Sequence, residues 1–380
     1  MIKKPEFTLG IEEEYLLIDA DSRALIVETP KGFLDACKAE LGDQVSPEFL
    51  QCQVEIGTRI CRTAAEAKSE LMHLRRVIID TAKAFDMQVI AASTHPFSHA
   101  EESKHTPKTR YQQLALDLQA VVRHLQISGM HVHCGLGDND DLRIDFMEQV
   151  AYILPHLLAL TTSSPFWGGE NTGLKSYRLA IWDQMPRTGL PGHFESYGEY
   201  QRYVNVLVKT GVIEDATKIW WDIRPSDRYP TLEMRISDIC TRVEDAVCIA
   251  AIYQCWLHML WRLKKDNMKW RRYSRMLINE NRWRAQRYGI DQGLIDFGEQ
   301  CIESFPDLIE EMQGVLLEDA QLLDCVDEVQ HARTILANGT SAHRQVAVYQ
   351  QALASGKNKE AALVDVVDSL IRDTQYGMDV

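Results

Sequence analysis

The 380-residue sequence has no Cys-x-x-Cys pair, no internal repeat and no low-complexity linker. It also lacks a Gly-rich turn between a strand-like and a helix-like segment. That absence excludes the dinucleotide-binding and Walker routes to a phosphate group. A nucleotide would have to be held by metals and cationic side chains instead. No apolar run reads as a bilayer span, because Ala246–Leu263 is interrupted by Gln254 and His258. No early segment joins a basic start, an apolar stretch and a small-residue cleavage site, so a cytoplasmic location is expected. Positive charge is in deficit: 41 Lys and Arg face 55 Asp and Glu, for a net charge of −14. Neither a nucleic acid nor a membrane is therefore expected as a partner. Acidity does not exclude a nucleotide, since a bound metal reverses the local sign.

The nine cysteines are scattered: Cys37, Cys52, Cys61, Cys134, Cys240, Cys248, Cys255, Cys301 and Cys325. Most have apolar neighbours. They read as small buried hydrophobes in a reducing compartment, all unpaired.

What is present is an α+β pattern. Strands are expected at Phe7–Ile18, Phe49–Cys61, Gln88–Ala92, Ser128–Gly135, Ile219–Arg224 and Thr231–Ile239. Helices are expected at Ala64–Phe85, Lys108–Leu125, Leu142–Thr161 with a kink at Pro155, and Glu195–Thr210. From Val243 the pattern is helical almost to the end, with breaks near Gly289–Gly293, Ser304–Pro306 and Asn338–Gly339. One domain over residues 1–380 is expected, with a sheet-rich core at about 6–240 and a helical portion at about 241–380. The Trp- and Met-bearing segment Ala246–Leu263 is either core or the interface of a homodimer.

The most informative stretch is Gly10-Ile11-Glu12-Glu13-Glu14-Tyr15-Leu16. On a strand, Glu12 and Glu14 share one face and Glu13 takes the other. Two carboxylates on one apolar strand face repel unless a cation lies between them, and hard oxygen ligands favour magnesium or manganese. The same spacing recurs. His131 and His133 share a face in Gly129–Gly135, Glu233 and Arg235 share one in Leu232–Ser237, and Asp222 and Arg224 share one in Trp220–Arg224. In Glu48–Glu55, Gln51, Gln53 and Glu55 share a face. Glu48 has the opposite parity, so it can join Glu55 only from ahead of the strand or across a bulge. The loop Ser163–Arg178, rich in turn residues, reads as a cover over substrate, with Lys175, Arg178 and Arg187 as cations for an anionic group.

These motifs in this order, together with Met185–Gly189, Asn281–Ala285 and Arg287–Gly289, resemble the YbdK-type carboxylate-amine ligases, also called glutamate–cysteine ligase type 2. The resemblance runs from about Phe7 to Gly289. It implies a glutamine synthetase-like fold: a curved, mainly antiparallel sheet with helices on its convex side and ATP and metals on its concave face. It also implies an ATP-dependent ligase, in which a substrate carboxylate takes the γ-phosphoryl group and an amine then displaces phosphate to give an amide. By position, Glu12, Glu14, Glu48, Glu55, His131 and Glu233 resemble ligands for two or three Mg²⁺ or Mn²⁺ ions. Arg235 resembles the residue that steadies the transferred phosphoryl group, with Glu233 beside it in the catalytic pair, and the resemblance implies a place beside ATP for His133. Lys175 and Arg178 are weaker matches, for cofactor or substrate contact. Glutamate and cysteine are the implied substrates, with weak activity expected on that pair. The competing readings are a guanido kinase-like phosphotransferase and an inactive ATP- and metal-binding regulatory protein.

Overall fold

The computed structural model describes residues 3–99, 104–107 and 125–378. The helix expected at Lys108–Leu125 lies, except for its last residue, outside the described residues.

Strand β1 (Leu9–Asp19) is the organising element. One edge pairs with β3 (Gln53–Gly57), which in turn pairs with the short β2 (Val45–Pro47). The other edge pairs first with β5 (Met130–Gly135) and then with β4 (Met87–Ile90). Short β6 (Phe166–Trp167) and β7 (Glu170–Asn171) form a separate hairpin. Two further strands, β8 (Ile223–Pro225) and β9 (Thr231–Met234), complete the main sheet in the order β2-β3-β1-β5-β9-β8, with every pairing antiparallel.

The strand expectations need correction in several places, and of the strand expected at Ile219–Arg224 only Ile223 and Arg224 are extended, in β8. The strand expected at Phe49–Cys61 begins only at Gln53, because residues 50–52 form the turn from β2. Strand β9 stops at Met234, because the N–H groups of Arg235 and Ile236 both donate to the carbonyl of Asp222. Two residues opposing one is the local count of a β-bulge. The sequence also gave no sign of the hairpin β10 (Leu294–Asp296) and β11 (Cys301–Glu303) inside the helical portion.

Helix Ala64–Lys83 starts at Thr63, whose side chain accepts from the Glu66 N–H at 3.1 Å. The helix expected across Leu142–Thr161 is two helices, Asp140–Val150 and Leu154–Thr161. Pro155 falls in the first turn of the second, where its missing N–H costs nothing, so the chain breaks rather than kinks.

One face of the sheet is dry. Ile11, Tyr15, Val54, Ile56, Val132, Leu232 and Met234 are all at most 1% exposed. The helices Ala64–Lys83 and Val243–Lys265 pack near this face. A single apolar cluster runs from Phe7 through Ile335 and joins sheet and helical portion. By length and composition Val243–Lys265 does reach the threshold of a bilayer span, but 83% of its apolar window is buried. Its two interrupting polar residues find partners inside the protein: Gln254 donates to the Phe7 carbonyl at 2.6 Å, and His258 Nδ1 lies 2.6 Å from Asp319 Oδ1. It is a core helix and offers no interface. Eight of the nine cysteines are buried, Cys301 alone is exposed, and none forms a disulfide.

Candidate active site

The face of β1 opposite this core carries Glu12 and Glu14, and strand register gives each a partner. Glu12 stands opposite His131 and Gly57, and Glu14 opposite Glu55. His133 stands opposite Glu233, and Glu233 opposite Arg224. The parity problem of Glu48 is resolved by β2. Ser46 on β2 pairs with Glu55, and Glu48 follows two residues later, toward the same face. The Ser46 hydroxyl donates to Glu55 at 2.9 Å, and the Phe49 N–H donates to Glu48 at 2.8 Å.

The side chains converge. His131 Nδ1 lies 3.1 Å from one Glu12 oxygen, and His133 Nε2 lies 3.5 Å from the other. His131 Nε2 lies 3.9 Å from Glu14. The Gly129 N–H donates to Glu14 at 2.7 Å. Three groups of donor atoms each lie within 4.8 Å of one another: Glu12 with Glu55 and His131, Glu12 with His133 and Glu233, and Glu14 with Glu48 and Glu55. Glu12 and Glu55 belong to two groups each, which suits carboxylates bridging neighbouring cations.

The electrostatics divide the carboxylates. Burial would raise Glu12, but hydrogen bonds from His131 and His133 and their charges bring it well below the usual range. Burial would also raise Glu233, yet Arg235 and Arg224 outweigh it and hold the carboxylate ionised. Arg224 reaches Glu233 at 2.8 and 3.2 Å, and Arg235 also hydrogen-bonds it. Glu48 and Glu55 have too little positive charge nearby. Burial and then the charge of Glu14 push Glu48 up to about 7. Burial, Glu48, Glu12 and Glu14 raise Glu55 well above its ordinary value. Burial and the nearby Arg235 charge lower His131. Burial opposes protonation of His133, but the charge of Glu233 prevails and raises it. A crowded set of carboxylates with neutral imidazole among them fits a divalent cation. Arg235 Nε is buried with no hydrogen-bond partner, so one donor of its guanidinium is uncommitted.

Two adjoining cavities open on this face. The inner one has a volume of about 310 Å³ and contains Glu14, Glu48, His131, Glu233 and Arg235 in its wall. The outer one, about 1510 Å³, runs along the start of β1 and past residues 135–141. Glu12, Glu55, His133, Arg228 and Tyr229 line both and form the neck between them.

Lys175 and Arg178 do not line either cavity. Lys175 Nζ is paired with Asp291 at 3.2 Å. Arg178 is 2% exposed and donates to the carbonyls of Ile236 and Arg235 at 3.3 and 3.2 Å. It braces the backbone that carries Arg235. A Cβ on Gly129 would lie 2.5 Å from this guanidinium, so only glycine allows the approach. Arg187, too, is absent from both walls; it stacks on Trp220 and donates to the Lys218 carbonyl at 2.9 Å. Asp222 leaves its sequence partner Arg224: its carboxylate takes Arg282 at 2.6 Å and is buried. Sequence reasoning passed over Lys218, Arg228, Trp182 and Trp220, which line the inner cavity. Isolated residues carry no spacing signal, so nothing local marked them.

An open antiparallel sheet that is dry on one face and studded with carboxylates, imidazoles and guanidiniums on the other defines the glutamine synthetase-like ligase fold. Solved structures bear this out. The bifunctional glutathione synthetase from Pasteurella multocida superposes with a TM-score of 0.68 and 13% identity, covering 97% of this chain and 53% of that one. A glutamate–cysteine ligase from Francisella tularensis in complex with AMP gives a TM-score of 0.67 and 13% identity, covering 99% of this chain and 90% of that one. Sequence then fixes the family. The glutamate-cysteine ligase family 2 profile matches residues 8–364. A Rhodospirillum rubrum protein named for glutamate–cysteine ligase 2 is 57% identical over 377 residues, 98% of this chain and 97% of its own. A protein of the same name from a Jannaschia species is 50% identical over 367 residues, 97% of this chain and 96% of its own. The chain belongs to glutamate-cysteine ligase family 2, a membership that implies the use of ATP and a divalent metal.

Proposed function

We infer that the chain is an ATP-dependent carboxylate–amine ligase, and that the neck between the two cavities is where the phosphoryl group is transferred. The observation that carries this is the neck itself. Glu12, Glu55 and His133 separate a space large enough for a nucleotide from one the size of a small acid. In this reading the outer cavity takes ATP. Glu12, Glu14, Glu48, Glu55, His131 and Glu233 would hold two or three Mg²⁺ or Mn²⁺ ions, which offset charge on the transferring group. Arg235 donates to the phosphoryl oxygens through a permanently charged, planar fork. Glu233 and the brace from Arg178 fix the position of that fork. The substrate carboxylate oxygen attacks the γ-phosphorus as the bond to ADP breaks. An amine then attacks the acyl carbon and phosphate leaves.

Glutamate and cysteine are the acid and amine named by the relatives, and weak turnover of that pair belongs to this reading. So do a cytoplasmic setting, in keeping with the buried free thiols, and a homodimer, which light scattering at micromolar concentration tests. The decisive experiment measures ADP release with Mg²⁺ across acid and amine libraries, with mass spectrometry of the product. A kinase would give ADP without amine-dependent amide. A regulatory protein would bind ATP without turnover.

A further inference from the structure

The inner cavity has two unlike walls. Its floor is the ligand-bearing sheet. The facing wall is apolar where Phe49, Leu125, Ile127, Trp182, Met185 and Trp220 form one hydrophobic cluster, and it is edged by the polar Thr217, Lys218, Ser226 and Asp227. They come from four separate parts of the chain, so the wall is a tertiary construction. Leu125, Ile127, Met185, Trp220 and Phe49 keep only a sliver of surface, which faces this space. Edge-to-face and cation–π contacts tie the wall to the catalytic floor. Trp182 lies 6.3 Å from Trp220, ring to ring, and the Arg178 guanidinium, which braces Arg235, sits 5.6 Å from the Trp182 ring.

The cations of the cavity differ in how far they are committed. Arg224 is spent on Glu233 and on the carbonyls of Thr217 and Ile219. Arg235 faces the transfer site. Arg228 stands at the neck and forms no ion pair among the described residues. Lys218 lies 3.7 Å from Glu214 and is the remaining cation. A small dicarboxylic amino acid such as glutamate would leave the apolar wall against water or against its own polar groups. We propose that the preferred acid of this ligase carries an apolar or aromatic body, seated on the Phe49–Trp220 wall, with its reacting carboxylate at the neck. This rests on the ligase reading above and names its substrate class.

Hydroxylamine serves as a general amine for the test. The acid's oxygen bonds to the γ-phosphorus, ADP departs with the electron pair of the broken bond, and the hydroxylamine nitrogen displaces phosphate and loses a proton to buffer. The product is a hydroxamate. The full-length enzyme with ATP and Mg²⁺ is offered glutamate, aspartate, aliphatic acids of rising length, and phenyl- and indolyl-substituted acids. One matched methylene is worth about 10- to 200-fold in an apolar pocket. Hydroxamate formation from the best apolar acid should exceed that from glutamate by at least about 100-fold in kcat/KM. Trp220→Ala should cut that preference by about 10-fold or more, and Trp220→Phe should restore part of it. Wild-type activity greatest on glutamate or another dicarboxylate overturns the proposal and leaves the ligase reading standing. So does an apolar preference untouched in a folded Trp220→Ala. No ADP and no hydroxamate from any acid overturns the ligase reading itself.

Discussion

Neighbouring glutamates on one strand meet opposite fates. Glu13 is fully buried on the dry face, and Arg75 reaches it at 2.6 and 2.8 Å from helix Ala64–Lys83. The Tyr15 hydroxyl donates to the same carboxylate, and Arg75 also donates to the carbonyls of Thr241 and Cys240. Every charge there has its partner inside the protein. Glu12 and Glu14, on the other face, have imidazoles, a backbone N–H and other carboxylates beside them, and among the described residues neither forms an ion pair with Arg or Lys. A strand that alternates faces puts a closed ion pair and an open ligand set one residue apart. The first secures the fold, and the second needs a cation from outside.

The largest effect that would sharpen this contrast lies on the open face. Arg235→Lys keeps the charge but loses the fork, and should lower kcat by about 10²-fold or more while leaving KM for ATP nearly unchanged. Thermal stability should move little. If kcat stays near wild type with saturating ATP and Mg²⁺, Glu233 and Arg235 are a structural pair only.

On the dry face the expected effect is on stability. Glu13→Gln leaves the Arg75 charge buried without its carboxylate and should cost about 3–5 kcal/mol in denaturant unfolding. Enzyme that does fold should keep its kcat. Replacing the pair together, Glu13→Leu with Arg75→Met, should recover much of the loss. A Glu13→Gln protein of normal stability would break the comparison.

A smaller effect concerns pH. Glu48, pushed up to about 7, and Glu55, raised well above its usual value, hold protons in the folded protein that the unfolded chain has already released. Where the native state binds more protons, stability falls as pH rises. Their contribution without metal should therefore decline between about pH 5 and 7.5, a window that begins near the unfolded carboxylate pKa, and it is read as the Tm of wild type minus that of Glu48→Gln with Glu55→Gln, which cancels the buried histidines that titrate in the same range. Glu12 and Glu233 are depressed, so their stabilisation is already complete above the unfolded carboxylate value and is lost only in more acid solution. Added Mg²⁺ must displace the same protons and should protect more at pH 7.5 than at pH 5.5. A metal-free wild-type Tm that climbs relative to that of the Gln variant through this window contradicts the assignment.

The smallest expected effect is none. Cys301→Ser, at the one exposed cysteine, should change neither kcat nor Tm measurably. Loss of activity there would give the thiols a role that the buried eight do not suggest.

The sequence by itself determined the alternation along each strand, because side-chain direction in extended backbone is a local property with a period of two. That was enough to separate Glu13 from Glu12 and Glu14, to group His131 with His133 and Glu233 with Arg235, and to mark the major helices. Tertiary structure decided everything that depends on which segments lie side by side. It brought Glu48 to Glu55 through a three-residue strand too short to show a pattern. It gave Asp222 to Arg282 and Arg224 to Glu233. It turned Lys175 and Arg178 away from the cleft, the latter into a brace beneath Arg235. It also built the apolar wall of the inner cavity from four distant stretches. Charge partners and cavity walls are set by register and packing across the chain, and no local spacing encodes them.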